Sequence, residues 1–236
     1  MICLALLALI PFQPTELTFV RHGQTVANAT GRYNSETLNA FSERGKDQVT
    51  KLTSKLQKME IDAIIVSPSP RALKTVAPFL QRSGKKAEIW PELLECCHQD
   101  GAERNLPASP EVKFGPKIEW DSSLNGLFTL RQDGQRYIEA PTYNDGLRQV
   151  EMTVKRIKDT WLGSGKRVLI VGHSIHGGML VSKLLGGTRI ALENAVPVYL
   201  EEKEPGVFRL KPADDPILVR GKGLEPSRLV GTTTSR

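Results

Sequence analysis

Three apolar runs in this chain stop abruptly on polar or charged residues, and this punctuation restricts the fold more than any other feature. Leu17-Thr18-Phe19-Val20 runs into Arg21-His22-Gly23-Gln24-Thr25. Ile61-Asp62-Ala63-Ile64-Ile65-Val66 runs into Ser67-Pro68-Ser69-Pro70-Arg71, and Arg167-Val168-Leu169-Ile170-Val171-Gly172 runs into His173-Ser174. Each reads as a strand bounded by a turn. The second is nearly continuous in apolar character, as a parallel strand covered on both faces should be.

Helical patterns separate these runs. Val49, Leu52, Leu56 and Met59 recur at helical spacing behind Ser42, which predicts a helix over residues 43–58 with Ser42 as its N-cap. Leu73, Val76, Ala77 and Leu80 predict a second over 71–81, with Pro78 expected to kink it or restart the turn. Leu147, Val150, Val154, Ile157 and Trp161 predict a long helix from Tyr143 to Gly163, and a last helix covers 178–185. Residues 87–89 form a short strand, and residues 26–40 lack periodicity and read as a loop. Residues 196–202 and 207–210 flank Lys203-Glu204-Pro205-Gly206 as a hairpin. Strands alternating with helices specify an α/β fold. The expectation is a three-layer α/β/α sandwich with a mostly parallel sheet, an edge hairpin and an inserted lid at about 91–142, where the pattern dissolves into Pro, Gly, Asp and Asn. Such loops in compact domains are lids or binding loops.

With 236 residues the chain is long enough for one well-buried domain, expected over 15–215. Its 39% hydrophobic and 25% charged content excludes global disorder. The apolar start, residues 1–14, is too short to span a bilayer, which needs roughly 20 residues. It reads equally as an export leader or as an arm packed on the domain, so cytoplasmic and exported locations stay equally open. Residues 216–236 lack periodicity and are expected to be a poorly ordered tail. A net charge of +6, spread along the chain with few interleaved aromatics, suits a small anionic substrate and not nucleic acid. The adjacent pair Cys96 and Cys97 argues against a disulfide framework, and no metal-ligand spacing appears, so no structural zinc and no cofactor are expected. Oligomeric state is left open.

In an open α/β sheet, ligands sit at the carboxyl ends of the strands. Arg21, His22, Arg71 and His173 would therefore meet at one mouth, with Gly23 turning the backbone beneath the first pair. Two arginines and two histidines suit a doubly charged oxyanion such as a phosphoryl group, and an imidazole can also be a nucleophile. Two decoys fail. Gly163-Ser164-Gly165-Lys166 precedes a strand, where a phosphate-binding loop would follow one. Gly172-His173-Ser174-Ile175-His176 imitates a serine-hydrolase elbow built on Ser174, but its fifth residue is not Gly and no histidine follows His176.

In order along the chain, Arg21-His22-Gly23, Phe41-Ser42-Glu43-Arg44-Gly45, Ser67-Pro68, Arg71-Ala72-Leu73-Lys74-Thr75-Val76-Ala77 and His173 resemble the histidine phosphatase superfamily, also called phosphoglycerate mutase-like, from about 16 to 210. The resemblance implies a metal-independent phosphomonoesterase on a small phosphorylated substrate, with His22 as the nucleophile. Arg21, Arg71 and His173 would hold the phosphoryl oxygens, with Thr25 and Asn28 as further substrate-side residues. The family carries a glutamate in a Leu-x-Glu context after the third strand. Glu95 in Pro91-Glu92-Leu93-Leu94-Glu95 fits as the proton donor and Glu92 is the fallback, while Cys96-Cys97-His98-Gln99 departs from the glycine and tryptophan usual there. A phosphoglycerate or sugar-phosphate mutase shares every one of these residues and is the alternative. A silent phospho-ligand binding module stands further off.

Overall fold

A computed structural model describes residues 12–187 and 190–211. The expectations for residues 1–11 of the arm and for the 216–236 tail lie outside the described residues. At 12–14, Gln13 pairs with Ser164 in the connection ahead of the seventh strand.

The chain runs β1 (Glu16–Arg21), α1 (Val26–Thr30), α2 (Glu43–Leu56), β2 (Ala63–Val66), α3 (Pro70–Ser83) and β3 (Ala87–Ile89). It continues through β4 (Lys113–Lys117), β5 (Phe128–Leu130), β6 (Arg136–Glu139), α4 (Tyr143–Trp161), β7 (Arg167–Gly172), α5 (Ile175–Leu184), β8 (Pro197–Glu204) and β9 (Val207–Leu210). The main sheet has the order β5-β3-β2-β7-β1-β8-β9. From β5 to β1 the neighbours are parallel, and β8 and β9 add antiparallel at the far edge. This is the expected mostly parallel sheet with its edge hairpin.

Side-chain alternation separates two cores, one on each face of the sheet. Leu17, Phe19, Ile65, Val168 and Ile170 pack with Val150, Val154 and Ile157 of α4 and Leu180 and Val181 of α5. Val20, Ile64, Val66, Leu169 and Val171 pack with Leu52 and Leu56 of α2 and Leu73, Val76 and Leu80 of α3. The central strand β7 is therefore buried on both sides, which explains its unbroken apolar sequence.

Three expectations are corrected. Within the 26–40 loop, α1 forms because Thr25 and Asn28 make a reciprocal capping box, two hydrogen bonds that fix a helix too short to show periodicity. α3 runs unbroken from Pro70 to Ser83 through Pro78, because Ala77, Phe79 and Leu80 around it are all buried and anchor both halves. The 91–142 segment is more than an insertion: β5 extends the main sheet beside β3, and β4 pairs antiparallel with β6. Three-residue and bulged strands are too short to display alternation, so neither was visible in the sequence.

The first turn of α2 meets the loop after β1 with no space for a side chain. A Cβ on Gly45 would lie 1.9 Å from the carbonyl oxygen of Gln24 and 2.9 Å from its carbon. Both neighbours are backbone, so relief requires the helix to move. Gly45→Ala should therefore destabilise the fold by about 1–3 kcal/mol, the range for overpacking, read as a lower midpoint in urea unfolding. An unchanged midpoint would show that the two elements are not in register as described.

Candidate active site

The sheet register delivers the functional residues to one place. Arg21 is paired with Gly172, and Val66 with Val171, so β1, β2 and β7 end level with one another. The ladder continues one step further, with His22 N donating to Gly172 O and Ser67 N donating to Val171 O. His22, Ser67 and His173 therefore leave the sheet side by side, and Arg71 reaches them from the first turn of α3.

Arg71 sits between the two histidines. Its Nε donates to His22 Nε2 at 3.2 Å and its Nη2 donates to His173 Nδ1 at 3.1 Å. Arginine has no acceptor, so both ring nitrogens accept through lone pairs. The opposite nitrogens carry the protons: His22 Nδ1 donates to Gly23 O at 2.8 Å, and His173 Nε2 donates to Ser67 Oγ at 2.7 Å. These partners assign the tautomers of two neutral rings, whose centroids are 5.4 Å apart. His22 thus keeps an unprotonated Nε2, its lone pair held by Arg71 Nε.

Electrostatics agree with that assignment. Burial and the guanidinium of Arg71 push the His22 pKa down to about 3, with Arg21 adding to the effect and the Gly23 carbonyl opposing it. His173, wholly buried, is held well below its ordinary value by burial and then by Arg71. Burial also lowers both arginines, with the Glu95 carboxylate opposing. Arg21 Nη1 donates to Leu192 O at 2.9 Å, while its buried Nε has no hydrogen-bond partner among the described residues. A buried, unsatisfied donor on a cation is a place for an anionic oxygen.

Glu95 reaches the same site from the segment after β3. Its carboxylate accepts from the backbone N–H groups of Ser174, Ile175 and His176, at distances of 2.9–3.3 Å, at the start of α5. Glu92 goes elsewhere: it is buried against α4, paired with Arg156 Nε at 2.9 Å, and burial raises its pKa. Thr25 and Asn28 stand beside His22, but Thr25 Oγ1 and Asn28 Oδ1 are engaged in the capping box. His98 is exposed and Cys96 and Cys97 are buried free thiols. Ser174 has no partnership with His176, whose ring contacts Thr153 Oγ1 at 3.2 Å instead.

Sequence reasoning missed the residues that lock this arrangement. Thr75 Oγ1 accepts from Gly23 N at 3.0 Å and donates to Arg71 O at 2.7 Å, tying the turn after His22 to the helix that carries Arg71. Its position four residues after Arg71, one helical turn on, was the available signal. Asn194 Nδ2 donates to His22 O at 2.8 Å from a loop remote in sequence, for which there was no signal. Among the described residues no group of three or more His, Cys, Asp or Glu side chains is gathered to hold a metal ion. No helix among them is long and apolar enough to cross a membrane.

Comparison with known proteins converges on one family. The family model described as "Histidine phosphatase superfamily (branch 1)" matches residues 17–198. An adenosylcobalamin/alpha-ribazole phosphatase of Salmonella typhi is 32% identical over 169 residues, 72% of this chain and 79% of that protein. A "probable phosphoglycerate mutase" of Erwinia tasmaniensis is 24% identical over 174 residues, 72% of this chain and 75% of that protein. Among solved structures, the alpha-ribazole phosphatase of Shigella flexneri superposes with a TM-score of 0.57 at 18% identity, covering 87% of this chain and 96% of that one. At that identity the likeness speaks to the fold.

The buried imidazoles set a pH dependence. In the unfolded chain each takes a proton near 6.5, whereas in the fold His22 and His176 stay neutral to about 3 and His173 to well below 6.5. A depressed imidazole pKa means that the unfolded state binds more protons, so stability is fully present above 6.5 and is lost as pH falls towards 3. At pH 5 His22 and His176 each contribute about one proton taken up on unfolding. His176→Leu should lower that uptake by about one, measured from the slope of unfolding free energy against pH. An unchanged slope would mean that His176 is not buried neutral.

Proposed function

The chain belongs to the histidine phosphatase superfamily, and from that premise we propose that it is a phosphomonoester phosphatase acting through a phosphohistidine on a small phosphorylated substrate. The observation that carries the reading is Arg71 holding His22 and His173 together, with His22 Nε2 unprotonated and accepting from the guanidinium. The phosphatase named among the relatives, at 32% identity, supports hydrolysis over mutase chemistry.

On this reading Nε2 of His22 attacks phosphorus in line as the bond to the leaving alkoxide breaks. The Gly23 carbonyl keeps the ring in the required tautomer and neutralises part of the charge that grows on it. The donors that Arg71 now spends on the two histidines turn to the phosphoryl oxygens, joined by Arg21 Nε. They stabilise charge spread over the equatorial oxygens of a loose transition state. A bound dianion also favours the protonated form of His173, whose Nδ1–H then adds a donor.

The leaving alkoxide needs a proton, and Glu95 supplies it. Both its oxygens now accept from the start of α5, so Glu95 first releases at least one of those contacts and takes up a proton from solvent, and it is this proton that passes to the alkoxide. In the second half the same carboxylate takes a proton from water as the water oxygen attacks phosphorus. The Nε2–P bond then breaks, inorganic phosphate leaves and His22 returns neutral.

Wild-type protein should release phosphate from an aryl phosphate in EDTA between mildly acidic and neutral pH. His22→Ala should lower that release by roughly 10⁴-fold or more, the scale of a lost nucleophile. No release by the wild type would favour a binding module, and full activity of His22→Ala would reject the assignment. Glu95→Gln should slow alkyl phosphates by about 10²-fold or more and activated aryl phosphates far less, because a good leaving group needs little protonation. Equal slowing of both would remove Glu95 from the proton transfer.

A further inference from the structure

Glu95 follows directly on the 3₁₀ turn at Pro91–Leu93, and so short a turn leaves its last carbonyls without partners of their own. Leu93 N and Leu94 N donate back to Trp90 O and Pro91 O, but the carbonyls of Glu92 and Leu94 are left over. Side chains of α4 take them up. Gln149 Nε2 donates to Leu94 O at 2.7 Å and to Glu92 O at 3.1 Å, and Thr153 Oγ1 lies 3.1 Å from Glu92 O. Both carbonyls can only accept, so they fix which end of the Gln149 amide faces them. Residues 149, 153 and 156 share one helix face, and from it Arg156 Nε also holds the Glu92 carboxylate at 2.9 Å.

His176 closes the circuit. Its backbone N–H donates to Glu95 Oε1 at 2.9 Å, while its ring Nε2 lies 3.2 Å from Thr153 Oγ1. Gln149, Thr153 and His176 are all fully buried, and Gln149 Oε1 has no hydrogen-bond partner among the described residues. A buried acceptor left unpaired is costly. An apolar side chain at 149 would avoid that cost but would orphan two carbonyls, so the amide serves the backbone of Glu92–Glu95 and not the core.

We propose that Gln149 and Thr153 are positioning residues for the proton transfer, fixing the backbone before Glu95 as the pivot on which its side chain swings between α5 and the leaving oxygen. The proposal rests on the phosphatase reading and on Glu95 as the proton donor. To donate, the carboxyl must leave the N–H groups of Ser174, Ile175 and His176, and at that moment no side-chain contact holds it in place. The contacts of Glu92 O and Leu94 O with α4 need not break, so they carry the geometry through the swing. A donor displaced by a fraction of a hydrogen-bond length delivers its proton poorly, whereas attack by His22 on phosphorus is untouched.

The test uses two esters that differ by one methylene, 4-nitrophenyl phosphate, whose phenolate needs little protonation on leaving, and 4-nitrobenzyl phosphate, whose alkoxide needs a proton. Gln149→Met keeps the chain length without the donors and should lower kcat for the benzyl ester by about tenfold or more, and for the phenyl ester by about twofold at most. Thr153→Val should shift the ratio of the two esters in the same direction, and Thr153→Ser, which keeps the hydroxyl, should restore most of it. A merely structural loss lowers the amount of active protein and slows both esters alike. An unchanged ratio in Gln149→Met or Thr153→Val, or no recovery in Thr153→Ser, overturns the proposal; if Gln149→Met does not fold, the two Thr153 variants decide it. Glu95→Gln run beside them separates the levels. If it shifts the ratio and the α4 variants do not, the positioning role alone fails, and if it leaves the ratio unchanged, the proton-donor role fails with it. Turnover of the phenyl ester alone by the wild type overturns the proposal and spares the phosphatase reading, whereas release of phosphate from neither ester removes both.

Discussion

A protonated guanidinium lodged between two neutral imidazoles is the contact on which the rest of this site depends. It exists only because three strands end level and a helix starts beside them, so that Arg71 spans His22 Nε2 and His173 Nδ1 at 3.2 and 3.1 Å. Each partner is gripped from behind. Ser67 holds His173, the Gly23 carbonyl holds His22, and Thr75 bonds both the backbone of Gly23 and that of Arg71. A small rotation of the guanidinium breaks both contacts at once, and on the proposed mechanism it is this rotation that frees the His22 lone pair and brings the donors to the phosphoryl oxygens.

The same contact is electrostatically unfavourable in isolation. Two half-buried arginines add to the burial that depresses the pKa of the histidines, desolvation lowers their own, and Glu95 is the carboxylate that offsets both of them. Partly desolvated cations without full compensation are costly. Here the deficit is located where a dianion would remove it, and departures from stability rules concentrate at functional sites. The apolar layers on both sheet faces and the capped helices supply the stability that tolerates such a cluster.

Much of this was legible in the chain. Runs such as Ile64-Ile65-Val66 and Val168-Leu169-Ile170-Val171 are long and uniform enough to declare buried parallel strands, and their polar ends marked His22, Arg71 and His173 for one mouth. What escaped was short or non-local. β5 has three residues and takes its identity from pairing with β3, and α1 is held by one capping box. Asn194 meets His22 across most of the chain length, a contact no local pattern encodes. The separation of Glu92 from Glu95 depended on the short 3₁₀ turn at Pro91–Leu93, which turns Glu92 towards Arg156 while Glu95 reaches α5.

The central claim is that the Nε2 lone pair of His22 carries the phosphoryl group between substrate and water. Mixing the wild-type protein with excess phosphomonoester, quenching in alkali within a turnover and mapping the phosphate by mass spectrometry and ³¹P NMR tests it directly. The account predicts one phosphoryl group on His22 Nε2, stable in base, lost in acid, and formed and consumed at rates that match turnover. Phosphate on Ser174 or on Nδ1, or steady turnover with no phosphorylated enzyme at any time, would contradict it.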